Sequence, residues 1–101
     1  MSNILLVCSA GMSTSVLVKK MEEAAASKGI EATIWAVGDA DSENEIVKAD
    51  IICLGPQVRY LESQMKARVN NEKPVMVIDM RDYGAMNGSS VLDTALAMLE
   101  K

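Results

Sequence analysis

The chain has 101 residues, of which 50% are hydrophobic and 24% are charged. This composition is typical of one globular domain and excludes a disordered or collagen-like chain. No apolar run exceeds five residues, whereas a membrane-spanning helix needs about 20, and the start Met-Ser-Asn lacks the basic segment of a signal peptide. We therefore expect neither a membrane insertion nor a secretory leader.

The charge balance is acidic, with 10 Lys and Arg against 14 Asp and Glu. Together with the presence of only one Trp, two Tyr and no Phe, it argues against a nucleic-acid partner, which needs a basic face and aromatic side chains for stacking. The chain has no His and two Cys, too few residues for a closed zinc site with four Cys or His ligands. We expect no metal and no cofactor, so any chemistry must use Cys, Ser, Thr, Asp or the backbone.

The first half of the chain predicts two strands separated by a helix. Residues 3–8 predict the first strand, because the continuous apolar run at 4–8 is typical of a strand buried on both faces. Residues 32–37 predict a second strand, at an edge of the sheet. The helix between them ends at Gly29, which is expected as its C-terminal cap. Its inner face carries Leu17, Met21 and Ala24.

The second half predicts two more strands and three helices. Ser42 and Glu45 have the spacing of a capping box and predict a short helix through Lys48. Residues 50–54 and 75–78 predict the third and fourth strands. The apolar faces of the last two helices consist of Val58, Leu61, Met65 and Val69, and of Val91, Leu92, Ala95, Leu96 and Leu99, respectively.

Apolar strands that alternate with amphipathic helices predict an α/β fold, a three-layer α/β/α arrangement around a four-stranded parallel sheet. We assign residues 1–101 to a single domain. Ligands of such sheets bind beyond the carboxyl ends of the strands, at a switch point in the strand order. The candidate functional loops are therefore residues 8–15, 55–60 and 79–88.

The first of these loops carries the chemistry. Cys8 ends the first strand and precedes a loop of small and hydroxyl-bearing residues that leads into a helix. Gly11 lets the backbone curl, and successive amides together with the helix N-terminus form a cradle for a phosphate. The same amides favour a thiolate, which can attack phosphorus. We predict that Cys8 is the nucleophile and that the phosphate-binding residues are Ser9, Ala10, Gly11, Met12, Ser13, Thr14 and Ser15.

Three segments of the chain resemble the lactose/cellobiose family of enzyme IIB, the phosphocarrier component of the bacterial sugar phosphotransferase system. They are Cys-Ser-Ala-Gly-Met-Ser-Thr-Ser at 8–15, Leu-Gly-Pro-Gln-Val-Arg-Tyr at 54–60, and Val-Ile-Asp with Tyr-Gly within 77–84. The resemblance covers essentially the whole chain, in order and at full domain length.

This resemblance implies a phosphotransferase that works in a relay. Cys8 would accept a phosphoryl group from a phosphohistidine of a IIA component. It would pass the group to a sugar, of the cellobiose, lactose or chitobiose type, bound by the membrane-embedded IIC transporter. The resemblance also implies a cytoplasmic protein held at the inner face of the membrane through IIC, and a fold like that of the low-molecular-weight tyrosine phosphatases.

Two other functions are compatible with a cysteine in this position. A low-molecular-weight tyrosine phosphatase has the pattern Cys-x5-Arg, but Thr14 stands at the Arg position, so the strongest fixed charge for phosphate is missing. Its acid would be Asp79 or Asp82, although such residues more often cap loops or helices. A thiol redox protein needs a nearby resolving cysteine, whereas Cys53 lies within an apolar run and is interpreted as a core residue.

The segment after the third strand would lie beside the cysteine loop if the first and third strands are neighbours. Gln57, Arg59, Tyr60 and Tyr83 are then the predicted partner-docking residues. The alternative is that Pro56 only stops the strand and that the two tyrosines cover the core.

Overall fold

A computed structural model describes residues 2–8 and 11–100, with the side chains of all of these except 11–13 and 39. The strands are β1 (Ser2–Cys8), β2 (Ala32–Gly38), β3 (Ile51–Leu54) and β4 (Val75–Val77). The α-helices are α1 (Gly11–Ser27), α2 (Ser42–Glu45), α3 (Glu62–Arg68), α4 (Met80–Gly84) and α5 (Gly88–Leu99). Short 3-10 segments cover Asp39–Asp41, Ile46–Lys48 and Pro56–Leu61.

The four strands form one parallel sheet in the order β2-β1-β3-β4. The predicted parallel sheet and the edge position of the second strand are therefore confirmed. The chain leaves β1 for β2 on one side and later returns to β3 on the other, so the carboxyl end of β1 is the switch point in the strand order. This places Cys8 where ligands of such sheets bind.

Alternation along β1 builds the two cores. Ile4 and Leu6 face α1 and α5, whereas Leu5 and Val7 face α3 and the 3-10 segment before it. All four side chains are fully buried, as a continuous apolar strand requires. The helices thus cover both faces of the sheet, and the predicted three-layer arrangement is confirmed.

The predicted C-terminal cap of α1 agrees with the structure, whereas the predicted N-terminal cap of α2 does not. Gly29 has φ +70° and follows α1, in the left-handed conformation predicted for a C-terminal cap. The capping box is wrong, because Ser42 is the first helical residue and is buried. Asp41 precedes it with φ −100° and ψ 0° and makes no side-chain cap. The chain enters α2 directly from a 3-10 turn, so the extended backbone that an N-cap residue needs is absent there.

The helix predicted after the third strand is divided in two. Residues Pro56–Leu61 form 3-10 turns and α3 continues from Glu62. Val58 has φ −118° and ψ 24°, which interrupts the helical backbone between them. The predicted inner face survives this kink, because Val58, Leu61, Met65 and Val69 are all buried.

Candidate functional site

Cys8 lies at the carboxyl end of the central strand β1, with 1% of its surface exposed. Its Sγ is 3.9 Å from the carbonyl oxygen of Val37, which can accept a weak hydrogen bond from the thiol. On the other side, the N–H of Gly55 donates to the carbonyl oxygen of Val7 at 2.8 Å. The segment that follows β3 therefore lies beside the cysteine, as predicted from the neighbouring strands.

The N-terminus of α1 follows Cys8 closely, because α1 begins at Gly11. The first N–H groups of a helix lack intrahelical partners and carry partial positive charge. Of the predicted cradle, Ser9 and Ala10 lie outside the described residues, and only the backbone is described for residues 11–13. The described part of the cradle is thus the first turn of a 17-residue helix.

The two remaining cradle residues have different environments. Thr14 is 1% exposed, and its Oγ1 is 3.3 Å from the hydroxyl oxygen of Tyr83. Ser15, one residue further along α1, is exposed. The hydroxyl of Thr14 is therefore buried against α4, whereas the side chain of Ser15 faces the surface.

Gln57 folds back toward the cysteine. A Cβ atom built on Gly55 would lie 2.9 Å from Oε1 of Gln57 and 3.7 Å from Cβ of Cys8. The side-chain amide of Gln57 and Cys8 therefore flank the same small space, which is open because residue 55 has no side chain. The amide carries both a donor and an acceptor, so it can bind an oxyanion held on Cys8.

The predicted docking residues divide into an exposed and a buried set. Gln57 and Arg59 are exposed, and Tyr60 is 70% exposed. Tyr83 is only 8% exposed and packs in the core shared by α1 and α5. Docking through Tyr83 stays a prediction, and the burial of its ring in α4 leaves only a small part of its surface open to a partner. The alternative interpretation, that the tyrosines cover the core, holds for Tyr83 and fails for Tyr60.

An apolar depression of about 310 Å³ adjoins this edge of the sheet. Its lining consists of Pro56, Gln57, Met80, Tyr83 and Gly84. Met80 begins α4 and is 64% exposed, and with the depression it forms an apolar patch at the surface. Sequence reasoning missed this residue, and the only available signal was a methionine directly after Asp79, in one of the three candidate loops.

Comparison with known proteins decides between the functions that this geometry allows. Residues 3–94 match the sequence model of the family described as "PTS system, Lactose/Cellobiose specific IIB subunit". The chain belongs to this family. It is therefore the IIB component of a sugar phosphotransferase system, with the phosphotransferase function of such components, and the predicted family is confirmed.

Relatives and solved structures agree with this assignment. The chain is 44% identical to the oligo-beta-mannoside-specific EIIB component of Bacillus subtilis, over 98% of this chain and 97% of the relative. It is 43% identical to the cellobiose-specific EIIB component of Lactococcus lactis subsp. lactis, with 91% of each covered. The cellobiose-specific IIB component of Borrelia burgdorferi superposes with a TM-score of 0.80 at 39% identity, covering 98% of this chain and 92% of that one.

The fold is also shared with a more distant protein. The lactose-specific IIB domain of Streptococcus pneumoniae superposes with a TM-score of 0.86, over 96% of each chain, at 18% identity. The predicted likeness to the low-molecular-weight tyrosine phosphatase fold is confirmed with it, because IIB domains have that fold. Within residues 2–8 and 11–100, no helix of the IIB protein is both long and apolar enough to cross a membrane.

The other ionisable groups predicted near the site have structural contacts. Asp79 caps α4, because its Oδ2 accepts hydrogen bonds from the N–H groups of Arg81 and Asp82 at 3.1 and 3.2 Å. Asp82 accepts a hydrogen bond from the hydroxyl of Ser90 at 2.8 Å. Both carboxylates thus stabilise α4 and its link to α5, as expected of aspartates that cap helices.

Cys53 lies in the middle of the sheet. It is fully buried, and burial raises the pKa of its thiol to about 12. A buried thiol that keeps its proton is a poor nucleophile and a poor metal ligand, because both roles need the thiolate. The interpretation of Cys53 as a core residue agrees with this position, and Cys8 is the cysteine at the switch point.

Proposed function

We propose that Cys8 is the residue of this IIB protein that accepts the phosphoryl group. The proposal rests on the position of Cys8 at the end of β1, between the N-terminus of α1 and the segment that begins at Gly55. The donor would be a phosphohistidine of a IIA component, and the acceptor a sugar bound by the membrane-embedded IIC transporter.

The first transfer would form one bond and break one bond. Cys8 reacts as a thiolate, its sulfur forms the S–P bond, and the N–P bond of the phosphohistidine breaks. The imidazole nitrogen keeps the electron pair of that bond and takes up a proton. Amide N–H groups in and after the cysteine loop would stabilise the charge on the three equatorial oxygens. In the second transfer, the oxygen of a sugar hydroxyl forms the O–P bond and releases its proton, the S–P bond breaks, and the sulfur keeps the electron pair as a thiolate.

The same site is poorly equipped to hydrolyse the phosphocysteine. Residues 8–15 contain no Arg, so the bidentate charge that a phosphatase uses is missing. Hydrolysis also needs a group that activates water, and the carboxylates of Asp79 and Asp82 have the structural contacts described above. These features favour a carrier, whose phosphoryl group survives until the acceptor arrives.

Both partners would have to approach the carboxyl edge of the sheet. We propose that Gln57, Arg59 and Tyr60 contact them, and that the exposed Met80 and the apolar depression beside it belong to the same surface. Aromatic, methionine and arginine side chains are enriched in protein interfaces. Residues 1–101 would act as a single IIB domain in the cytoplasm, held at the inner face of the membrane by IIC.

The sugar is proposed only as a class. Relatives that are 43–44% identical to this chain are named for an oligo-beta-mannoside, for galactose and for cellobiose. We propose a sugar of the cellobiose, lactose or chitobiose type. The sugar pocket would lie in IIC, and the IIB protein would contribute the phosphoryl group.

Reconstitution with matched variants tests the proposal. Wild type, Cys8→Ala and Cys53→Ala are incubated with phosphoenolpyruvate, enzyme I, the histidine carrier protein and a IIA component, and their intact masses are measured. We expect one added phosphoryl group on wild type and on Cys53→Ala, and none on Cys8→Ala. Peptide mapping that places the group on any residue other than Cys8 would refute the proposal.

A further inference from the structure

The hydroxyl groups of Thr14 and Tyr83 form a buried pair between α1 and α4. They lie 3.3 Å apart although the two residues are 69 positions apart in the chain, and either oxygen can be the donor. Thr14 belongs to the first turns of α1, where a side chain points back toward the helix N-terminus. Its hydroxyl is therefore directed toward the end of the helix that follows Cys8.

The tyrosine is held in a rigid position. The capping bonds of Asp79 fix the start of α4, and the N–H of Asn87 donates to the carbonyl oxygen of Asp82 at 2.8 Å. The side chain of Asp82 adds the hydrogen bond from Ser90 of α5. The Tyr83 ring itself packs against buried residues of α1 and α5. The hydroxyl of Tyr83 can therefore orient the hydroxyl of Thr14 through their hydrogen bond.

We infer that Tyr83 is a positioning residue for phosphoryl transfer, acting through Thr14. A hydroxyl has one proton and two lone pairs. When Tyr83 donates its proton to Oγ1 of Thr14, the proton of Thr14 is free to be donated to a phosphoryl oxygen on Cys8. The pair would thus supply a neutral, directed donor at the position where a phosphatase of this fold has arginine. This inference rests on the proposed phosphorylation of Cys8.

The alternative is that the pair only stabilises the fold. A structural role would lower the melting temperature in Tyr83→Phe and leave the transfer rate unchanged at temperatures where the variant is folded. A positioning role lowers kcat for transfer from phosphorylated IIA, with little change in KM, because the docking surface is intact. The net worth of one hydrogen bond corresponds to a decrease in kcat of about 2- to 10-fold.

The test is a mutant cycle in transfer kinetics. Tyr83→Phe, Thr14→Val and the double variant are compared with wild type, and we expect the double variant to be no slower than Thr14→Val alone. In a Thr14→Ser background, which keeps the hydroxyl, Tyr83→Phe should still lower kcat. Thr94→Val is the matched control, because Thr94 is exposed and its Oγ1 donates to the carbonyl oxygen of Ser90 within α5, and it should keep the wild-type kcat and KM.

Several results would overturn the positioning role of Tyr83 or the proposed function on which it rests. A wild-type kcat in Tyr83→Phe, or equal losses from Tyr83→Phe in the presence and absence of the Thr14 hydroxyl, would overturn the inference while Cys8 phosphorylation stood. If wild type itself accepts no phosphoryl group on Cys8, the proposed function fails first. If circular dichroism shows that Tyr83→Phe is unfolded, the transfer rates of Thr14→Ser and Thr14→Val are compared instead. Equal rates in these two variants would overturn the inference.

Discussion

Gly55 and Val7 are joined by a hydrogen bond from the N–H of Gly55 to the carbonyl oxygen of Val7, 2.8 Å long. This bond lies one residue beyond the end of β3, so the pairing with β1 continues past the strand. It holds the start of the Pro56–Leu61 segment against the residue that precedes Cys8. The absence of a side chain at residue 55 leaves room there for the amide of Gln57.

Gly55→Ala should slow phosphoryl transfer without unfolding the protein. The added Cβ would lie 2.9 Å from Oε1 of Gln57, and its other two closest neighbours would be at 3.5 and 3.7 Å. The flexible end of Gln57 therefore has to move, and the backbone does not. If its amide binds the phosphoryl group, we expect the transfer rate to fall by about 2- to 10-fold, the worth of one hydrogen bond.

The matched variant is Gln57→Ala, which removes the same amide directly. Transfer from phosphorylated IIA should fall to a similar extent in both single variants and no further in the double variant. If the rate losses of the two single variants multiply in the double variant, Gly55→Ala acts through something other than Gln57.

Alkylation of the native protein near neutral pH should modify Cys8 well before Cys53. Cys53 is fully buried in mid-sheet with a pKa raised to about 12, whereas Cys8 lies at the carboxyl end of β1, where the chain leaves the sheet. Peptide mass mapping against time measures the two rates. In denaturant the two rates should become equal, and a native Cys53 that reacts as fast as Cys8 would contradict the assignment of roles.

The raised pKa of Cys53 also predicts a loss of stability in alkaline solution. The folded protein keeps the thiol proton up to about pH 12, whereas the unfolded chain releases it near the usual value of about 8.5. Between these limits the folded state binds more protons, so the free energy of unfolding falls as pH rises. Urea unfolding at pH 8 and pH 10 should show a smaller decrease for Cys53→Ala than for wild type.

Gly88→Ala should destabilise the protein strongly. A Cβ at this first residue of α5 would lie 2.4 Å from the carbonyl carbon of Lys20 and 2.5 Å from the amide nitrogen of Met21. Both contacts are with the backbone of α1, so the two helices must separate, at a cost of about 1–3 kcal/mol for an overpacked site.

Gly84→Ala is the matched control for Gly88→Ala. A Cβ at Gly84, in α4, meets nothing within 4 Å. Alanine is favoured over glycine in a helix by about 0.5–1 kcal/mol, so this variant should be as stable as wild type or slightly more stable. Urea unfolding measures both variants, and a Gly88→Ala protein as stable as Gly84→Ala would contradict the close packing of α1 and α5.

Hydrolysis of p-nitrophenyl phosphate should be negligible. The chain has Thr14 where a phosphatase of this fold has arginine, and its hydroxyl pairs with Tyr83. A steady release of p-nitrophenol that disappears in Cys8→Ala would instead support the phosphatase function and contradict a stable phosphocysteine.

The features that the sequence determined are those set by neighbouring residues. The apolar run that ends at Cys8 predicts a doubly buried strand, and Gly29 predicts the end of α1, because burial on both faces and a left-handed cap are properties of a few consecutive residues. The alternation of strands and helices along the chain then predicts the three-layer α/β/α arrangement. In the same way, the position of Cys8 before a loop of small residues predicts the nucleophile.

The tertiary structure decided what depends on contacts between distant segments. Ser42 and Glu45 have the spacing of a capping box, but a 3-10 turn directly precedes α2, so that Ser42 is its first residue and is buried. Tyr60 and Tyr83 look alike in sequence, yet one is exposed and the other is buried against Thr14. Burial and hydrogen bonding of such side chains are set by which elements pack together, and no pattern within ten residues encodes the meeting of α4 with α1.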